Sequence, residues 1–499
     1  MKNILLITSD QQHWLAVGYN NPEVHTPNLD RLAARGTIFQ RAYCPNPTCT
    51  PTRASILTGQ YPSQHGAYAL GTGLDPASPT VNDAFHAGGM RTGLVGKAHF
   101  QPLAATDEFP SLESYPILQD LEFWRNYRGP FFGFDDFELT RNHADEGHVG
   151  QHYALWLESK GFTRWRDCFQ PPGGNHEKQY GRWNIPEEFH YNTWISERTN
   201  ALLEKYAATN TPFFLWSSYL DPHPPYLVPA PWDTMYDPSK LTLPVTPNDE
   251  HAHNPPFHRF AAASSGEPAD FGISGRWIHG LLHHGKPEAR LRKDLALYYG
   301  MISCMDHHIG RTLDHLDALG LTKETLIVFT SDHGHFTGQH GLTAKGPFHY
   351  EEGIRVPFLV SAPDHIPCGS SSQSLQSLVD LAPTFLSALG MAIPQWMTGV
   401  DQWQVWCNQK DRVRDHCLVE NTMEPGSAEL RTYIDQRYKI TIYRAFEEGE
   451  LYDLEEDPGE FRNLFHDPQS IPLKTQLLQK FLQAEMARDV RPMPRVSMA

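Results

Sequence analysis

The stretch Thr325-Leu326-Ile327-Val328-Phe329-Thr330-Ser331-Asp332-His333 is an apolar, β-branched run that breaks at a carboxylate and an imidazole. It is too short for a core helix and has no polar face. It therefore reads as a strand buried on both sides, as in a parallel sheet covered by helices. The same grammar recurs elsewhere. Asn3–Ser9 (NILLITS) runs into Asp10-Gln11, residues 92–96 into Lys97-Ala98-His99, and residues 212–220 (PFFLWSSYL) into Asp221-Pro222-His223. Residues 356–361 (VPFLVS) make a fifth such run. Helical stretches lie between them. One has Thr26 as N-cap, Pro27 at its first position and Gly36 as its stop. Another places Tyr298, Ile302, Met305, Ile309, Leu313 and Leu316 on one stripe and leads through Gly320 into the strand at 325. The expected fold is α/β, a large and mostly parallel sheet sandwiched by helices.

Composition agrees with a large core. The 499 residues are 40% hydrophobic and include 26 Phe, 20 Tyr and 12 Trp, which excludes disorder for the bulk of the chain. The formal net charge is −17, the wrong sign for a protein held to nucleic acid by phosphate contacts. Any anion must be caught by a local cluster working against the global field. No apolar run approaches the roughly 18 residues that a membrane span needs. The first run stops at Thr8-Ser9-Asp10 with no small-residue cleavage site, so a cytoplasmic product without a signal peptide is expected. Seven scattered cysteines with no CxxC pair indicate neither a disulfide framework nor a structural zinc site.

Two segments, 100–195 and 222–290, read as long irregular insertions of the kind that form lids or pocket walls. The second holds His251, His253, His258, His279, His283 and His284, at no spacing diagnostic of a metal site. A helical pattern covers 375–389. Beyond it, residues 431–444 and 450–454 read as antiparallel strands and 473–488 as a closing helix. The expected division is a catalytic-type α/β domain over 1–404 and a smaller C-terminal α+β domain over 405–499.

In an open parallel sheet the site lies beyond the carboxyl ends of the strands. Four separate strand ends here deliver a ligand-type or acid–base side chain. Asp10, Asp332 and His333, with the amide oxygen of Gln11, suit one divalent cation. Oxygen donors fit Ca²⁺, Mg²⁺ or Mn²⁺, and the imidazole tilts the choice toward Mn²⁺.

Cys49-Thr50-Pro51-Thr52-Arg53, followed by Leu57-Thr58-Gly59, carries the Cys-x-Pro-x-Arg signature, and here the chain resembles the sulfatase family of the alkaline phosphatase superfamily. Thr26-Pro27-Asn28-Leu29-Asp30-Arg31-Leu32, Gly96-Lys97-Ala98-His99, Thr330-Ser331-Asp332-His333-Gly334 and Glu450-Leu451-Tyr452-Asp453-Leu454 extend the likeness over most of the chain. The resemblance implies an alkaline phosphatase-like fold. It also implies conversion of Cys49 to formylglycine by a maturation enzyme, with the hydrated aldehyde as nucleophile. One hydroxyl of such a diol attacks sulfur, and the other expels sulfate and restores the aldehyde, an exit that a thiolate lacks. Asp10, Gln11, Asp332 and His333 resemble the ligands of one metal ion, Ca²⁺ or Mn²⁺. Arg53 resembles the arginine that holds the nucleophile, Lys97 and Lys345 the lysines that clamp the sulfate, His99 the base, and His223 the residue that helps protonate the leaving oxygen.

The Asp-Gln and Asp-His pairs depart from the usual sulfatase pattern and resemble the branch of phosphonate monoester hydrolases and some arylsulfatases. The intact Lys97-Ala98-His99-Phe100 instead resembles choline sulfatases. The leading expectation is hydrolysis of a small organic sulfate monoester. The alternatives are a phosphonate monoester or phosphodiester hydrolase with the same site, and a non-catalytic metal- and anion-binding protein if Cys49 stays a thiol. A two-metal phosphatase or mutase fits poorly, since ligands for a single ion are seen. The family resemblance and the long C-terminal segment point toward self-association.

Overall fold

The computed structural model of the chain describes residues 1–141, 149–169, 180–247, 250–263, 265–271, 281–424, 428–444 and 446–489. Its centre is an eight-stranded sheet. In chain order the strands are β1 (Asn3–Ser9), β2 (Thr37–Phe39), β3 (Arg91–Gly96), β4 (Asp136–Leu139), β5 (Phe213–Ser218), β6 (Thr325–Ser331), β7 (Phe358–Ser361) and β8 (Ser370–Ser372). Their spatial order is β8-β2-β7-β6-β1-β5-β3-β4. From β6 through β1, β5 and β3 to β4 all pairings are parallel.

The apolar strands divide their side chains between two cores, which is why they read as continuous hydrophobic runs. Ile4, Leu6, Phe214, Trp216, Leu326 and Val328 enter one core, and Leu5, Ile7, Phe213, Leu215, Ile327 and Phe329 the other. Helices α1 (Pro27–Ala33), α2 (Cys49–Thr58), α3 (Tyr191–Thr209), α4 (Glu288–Ala318) and α5 (Leu381–Ala388) are among those that cover the sheet. The apolar stripe read at 298–316 lies buried on α4.

The structure corrects four details. The run at 356–361 was expected to follow the parallel pattern, but β7 pairs antiparallel with both β6 and β2. Residues 332–357 between the two strands form a short hairpin, Phe336–Thr337 with Thr343–Ala344, and a helical turn, Glu351–Ile354, and hold no long crossover helix that would carry the chain back along the sheet for a parallel return. Residues 100–195 are not an irregular insertion throughout. They contribute β4, the short edge strand, whose Phe137 and Leu139 face inward while Asp136 and Glu138 are half-buried. The helix expected over 375–389 begins only at Leu381, after a two-residue strand and a 3-10 turn. Thr26 precedes α1 but its hydroxyl does not cap it; it accepts from the Gly18 amide and donates to Asp30.

Toward the C-terminus a four-stranded antiparallel meander forms from β9 (Cys417–Glu424), β10 (Ala428–Ile434), β11 (Tyr438–Tyr443) and β12 (Gly449–Asp453), followed by α6 (Ile471–Ala487). Among the described residues no helix is long and apolar enough to cross a membrane.

Candidate active site

Register brings the strand ends together. Ser9 pairs with Ser331, and Thr8 and Gly96 both pair with Ser218. One residue further on, the backbone amides of Asp10, Lys97 and Asp332 still make ladder-type bonds, donating to Asp221 O, Ser218 O and Ser9 O. Their side chains therefore leave the sheet at one rim. Gly96 is obligatory there: its φ is +107°, and a Cβ would lie 1.8 Å from the Ser218 carbonyl oxygen.

Cys49 opens α2, every residue of which is buried. Its Sγ lies 3.2 Å from His333 Nε2, 3.5 Å from Asp10 Oδ1, 3.3 Å from Lys345 Nζ and 3.6 Å from Lys97 Nζ. Lys97 also pairs with Asp10 Oδ2, and both side chains are wholly buried. Burial and Asp10 push the Cys49 thiol up, Lys345 and Lys97 pull it down, and the balance leaves it at about 7 instead of 9.0. The free amides at the start of α2 add to this positive environment.

The expected metal ligands converge. Asp10, Cys49, Asp332 and His333 each offer an atom within 4.8 Å of the others, all buried. His333 Nδ1 lies 2.9 Å from the Gly334 carbonyl oxygen, which can only accept, so the proton sits on Nδ1 and the Nε2 lone pair faces the cluster. Gln11 has a φ of +63°, and its Nε2 donates to His335 Nδ1 at 2.8 Å. Its Oε1 is buried with no hydrogen-bond partner among the described residues. The Gln11 backbone amide donates to Asp332 Oδ1 at 2.9 Å, which seats the residue at the cluster, and an orphaned amide oxygen on a residue next to two carboxylates and a bare imidazole nitrogen is chemistry that fits a hard or borderline divalent cation.

Arg53, fully buried, binds Asp332 Oδ2 through Nε at 2.9 Å, and donates from Nη1 to Lys97 O and Ser218 Oγ. It thus ties the helix, the β3 end and the β6 end into one unit. His223 donates from Nδ1 to Pro224 O at 2.5 Å, which leaves Nε2 to accept from Lys345 Nζ at 3.2 Å. Asp221, held by Tyr191 and Asn192, anchors the turn that carries it.

His99 is at the rim with φ +55°, but its ring does not bond Cys49. Nε2 lies 2.5 Å from Arg141 Nη2, and Nδ1 is buried with no partner among the described residues. Burial, then the charges of Arg141, Lys97 and Arg53, hold it well below its usual pKa, so it is neutral. Glu113 accepts from the backbone amides of His99, Phe100 and Gln101 and fixes the segment.

Sequence reasoning missed His335, Tyr298, Ser218, Glu113 and Arg141. Tyr298 OH accepts from the His13 amide and donates to the backbone carbonyl of Gln11, so it fixes the Gln11 backbone while His335 holds the side chain. His335 lay in plain view two residues after His333. Arg141 and Glu113 had no motif to mark them.

Among the described residues, the histidines of the second insertion form no metal-type cluster. His251 bonds His340 O, His258 bonds the hydroxyls of Tyr350 and Tyr443, His283 bonds Phe260 O, and His284 bonds Thr343 Oγ1. His279 lies outside the described residues.

The sulfatase family model matches residues 2–391, and a model described as "N-sulphoglucosamine sulphohydrolase, C-terminal" matches 338–487. The chain is 28% identical to the multifunctional alkaline phosphatase superfamily protein PehA of Trinickia caryophylli, over 96% of this chain and 94% of the relative. It is 27% identical to an arylsulfatase of Clostridium perfringens, over 93% and 90%. Among solved structures, the phosphonate monoester hydrolase SpPMH from Silicibacter pomeroyi superposes with a TM-score of 0.81 at 25% identity, covering 100% of this chain and 98% of that one. The matched span takes in every residue of the pocket around Cys49, and the chain belongs to the sulfatase family of hydrolases.

Proposed function

We propose that this hydrolase cleaves a small organic sulfate monoester to alcohol and sulfate, using formylglycine formed from Cys49 and one divalent cation. The supporting observation is the buried Cys49 at a helix start, with two lysines and a set of metal-type donors within 3.6 Å of its sulfur. Asp10, Gln11, Asp332 and His333 would hold the cation, Ca²⁺ or Mn²⁺. The cation would acidify the nucleophile and offset charge on the transferred group, and the aldehyde hydrate would supply the nucleophile and its own release.

The other residues bind, orient and move protons. Lys97 and Lys345 receive the sulfate oxygens, and Arg53 fixes Asp332 and the Lys97 backbone. Lys345 and His223 face the leaving side. His223 acts as an acid only after its Nε2 gains a proton, and Lys345 is the cation that touches it. His99 is neutral and so able to take a proton, and Arg141 yields its hold on Nε2 as it does so. Residues 1–404 are taken as the catalytic domain and 405–499 as the smaller one.

A second reading, a phosphonate monoester or phosphodiester hydrolase, is favoured by the Gln11 and His333 pairings and by the likeness to SpPMH. Intact Lys97 and His99 weigh toward sulfate. Two measurements test the proposal. Mass analysis of peptide 42–53 reads whether Cys49 is converted. On converted protein, kcat/KM for an aryl sulfate is compared with that for an aryl phosphonate. An aldehyde with sulfate preferred supports the proposal. Phosphonate preferred by orders of magnitude moves the assignment to the second reading, and thiol alone in protein from the native host removes the catalytic one.

A further inference from the structure

The side-chain amide of Gln11 has two faces, and a half-turn about its last bond exchanges them. The oxygen suits a cation and the nitrogen does not. Whatever fixes that half-turn therefore decides whether Gln11 serves the cluster. Gln11 Nε2 lies 2.8 Å from His335 Nδ1, and His335 Nε2 lies 2.8 Å from the Tyr226 hydroxyl. The imidazole is fully buried. It stacks on Tyr298 at 4.6 Å and 18°, and Tyr226 meets it edge-on at 6.0 Å. Packed between two tyrosines, the ring is held in plane with the row of hydrogen bonds.

The row has a direction. Burial, then the charges of His13, Lys286, His333 and Lys345, hold His335 well below its usual pKa, so its ring carries one proton on two nitrogens. With the proton on Nε2, His335 donates to the Tyr226 oxygen, Nδ1 accepts from the Gln11 nitrogen, and the Gln11 oxygen is left over. With the proton on Nδ1, Tyr226 donates to Nε2, Nδ1 donates to the Gln11 oxygen, and the nitrogen is left over instead. The structure holds the first arrangement. Gln11 Nε2 faces His335, and Oε1 is buried with no hydrogen-bond partner among the described residues. That arrangement needs an acceptor at His335 Nε2, and the Tyr226 hydroxyl is placed to be it. Without the hydroxyl an N–H would be buried unpaired, which costs more than an unpaired lone pair, and the proton would favour Nδ1.

We propose that His335 and Tyr226 are positioning residues that set Gln11 with its amide oxygen toward the cation of Asp10, Asp332 and His333, Tyr226 acting as the acceptor that keeps the His335 proton on Nε2. The inference rests on the single-cation site of the proposed function. It gives the second insertion a part in that site. Tyr226 stands three residues after His223. Its carbonyl accepts from the Gly181 amide at 2.8 Å, where Gly181–Arg182 pairs with Leu227–Val228. The loop that brings His223 to the leaving side thus also secures one donor of the cation.

The test is Mn²⁺ binding, which needs no turnover. The full chain, with Cys49 as the thiol, is stripped with chelator and titrated with Mn²⁺ alone. Free Mn²⁺ is read from its electron paramagnetic resonance signal, with D332N as the blank for ions held elsewhere, and the unfolding midpoint is recorded in chelator. The variants are Y226F, H335F, Q11A and the double variant Q11A/Y226F. The expected result is a Kd raised about 10-fold in Y226F and about 10–100-fold in H335F, with no further rise when Y226F is added to Q11A. A merely structural role would lower the midpoint in chelator and leave the affinity alone. Parent-like affinity in either folded variant would overturn the proposal. So would a Y226F effect that persists in the Q11A background, since Tyr226 would then act through another group. In both cases Mn²⁺ still binds the parent and the cation site stands. A parent that binds no more Mn²⁺ than D332N would overturn both together. Y226F, which adds no bulk, decides alone if H335F does not fold.

Discussion

Lys345→Met in the thiol form of the protein tests the electrostatics of the pocket directly. Lys345 Nζ lies 3.3 Å from Cys49 Sγ. At an effective dielectric near 20, a unit charge pair at that distance is worth about 5 kcal/mol, or roughly four decades in the acid constant. A cation favours the thiolate, so removing it must raise the midpoint. In the parent, burial and Asp10 push upward, Lys345 and Lys97 pull downward, and the thiol sits at about 7. Without Lys345 the remaining pull comes from Lys97, which Asp10 already engages. The midpoint is therefore expected to climb from about 7 to above the ordinary 9. Thiolate absorbance near 240 nm, followed against pH on chelated protein, gives the readout, and subtraction of a C49S trace isolates Cys49. The other buried thiols interfere little. Burial holds Cys44 and Cys304 far above 9, Cys407 at about 11 and Cys417 at about 12. A parent midpoint at or above 9, or one that Lys345→Met leaves in place, would refute the reading of this pocket as a cationic socket.

Arg53→Met leaves Asp332 buried without its partner and is expected to cost about 3–5 kcal/mol of stability, read from denaturant unfolding; a loss under ~1 kcal/mol contradicts the tying role. His223→Ala should lower kcat/KM by about 10²-fold or more for an alkyl sulfate and by much less for a nitrophenyl sulfate. Equal losses remove the acid role from His223. Arg141→Met removes a charge that helps hold His99 well below 6.5. With His99 as the proposed base its neutral form would be the active one, so activity lost as pH falls through its pKa is expected to move to higher pH in the variant. Superimposable acid limbs in log kcat/KM between pH 4 and 9 would show that His99 does not govern them.

The strand ends were legible because strands buried on both faces must be apolar throughout, and the first polar residue after each run marks the rim. That logic located Asp10, Lys97, His223 and Asp332 without any contact information. Strand direction was not legible in the same way. VPFLVS is as apolar as TLIVFTS, and an apolar run buried on both faces carries no mark of its direction; the return comes from how residues 332–357 fold, as a hairpin and a short turn with no crossover helix. The edge strand β4 escaped because a half-buried Asp-Phe-Glu-Leu carries a short alternation inside a long aromatic segment. Arg141 and Glu113 reach His99 through long-range packing that no spacing encodes. The histidine-rich 251–284 segment, which drew attention in the sequence, spends the rings of His251, His258, His283 and His284 on carbonyls, hydroxyls and the Glu450 carboxylate.

The local charge of the pocket explains how a chain of net −17 receives an anion. Lys97, Lys345 and Arg53 face Asp10 and Asp332, so the protein alone presents a single excess positive charge around Cys49. That is enough to hold a monoanionic ester but adds little as negative charge grows on the leaving oxygen and the transferred group. A divalent cation among Asp10, Gln11, Asp332 and His333 would raise the excess to three. The added attraction then acts most strongly where charge is developing, which is the requirement for lowering a barrier and not merely for binding. The same count explains why both lysines stay within reach of the sulfur while Arg53 is turned away onto Asp332. On the proposed reading the lysines would meet the substrate, and the arginine would keep one carboxylate aimed at the cation.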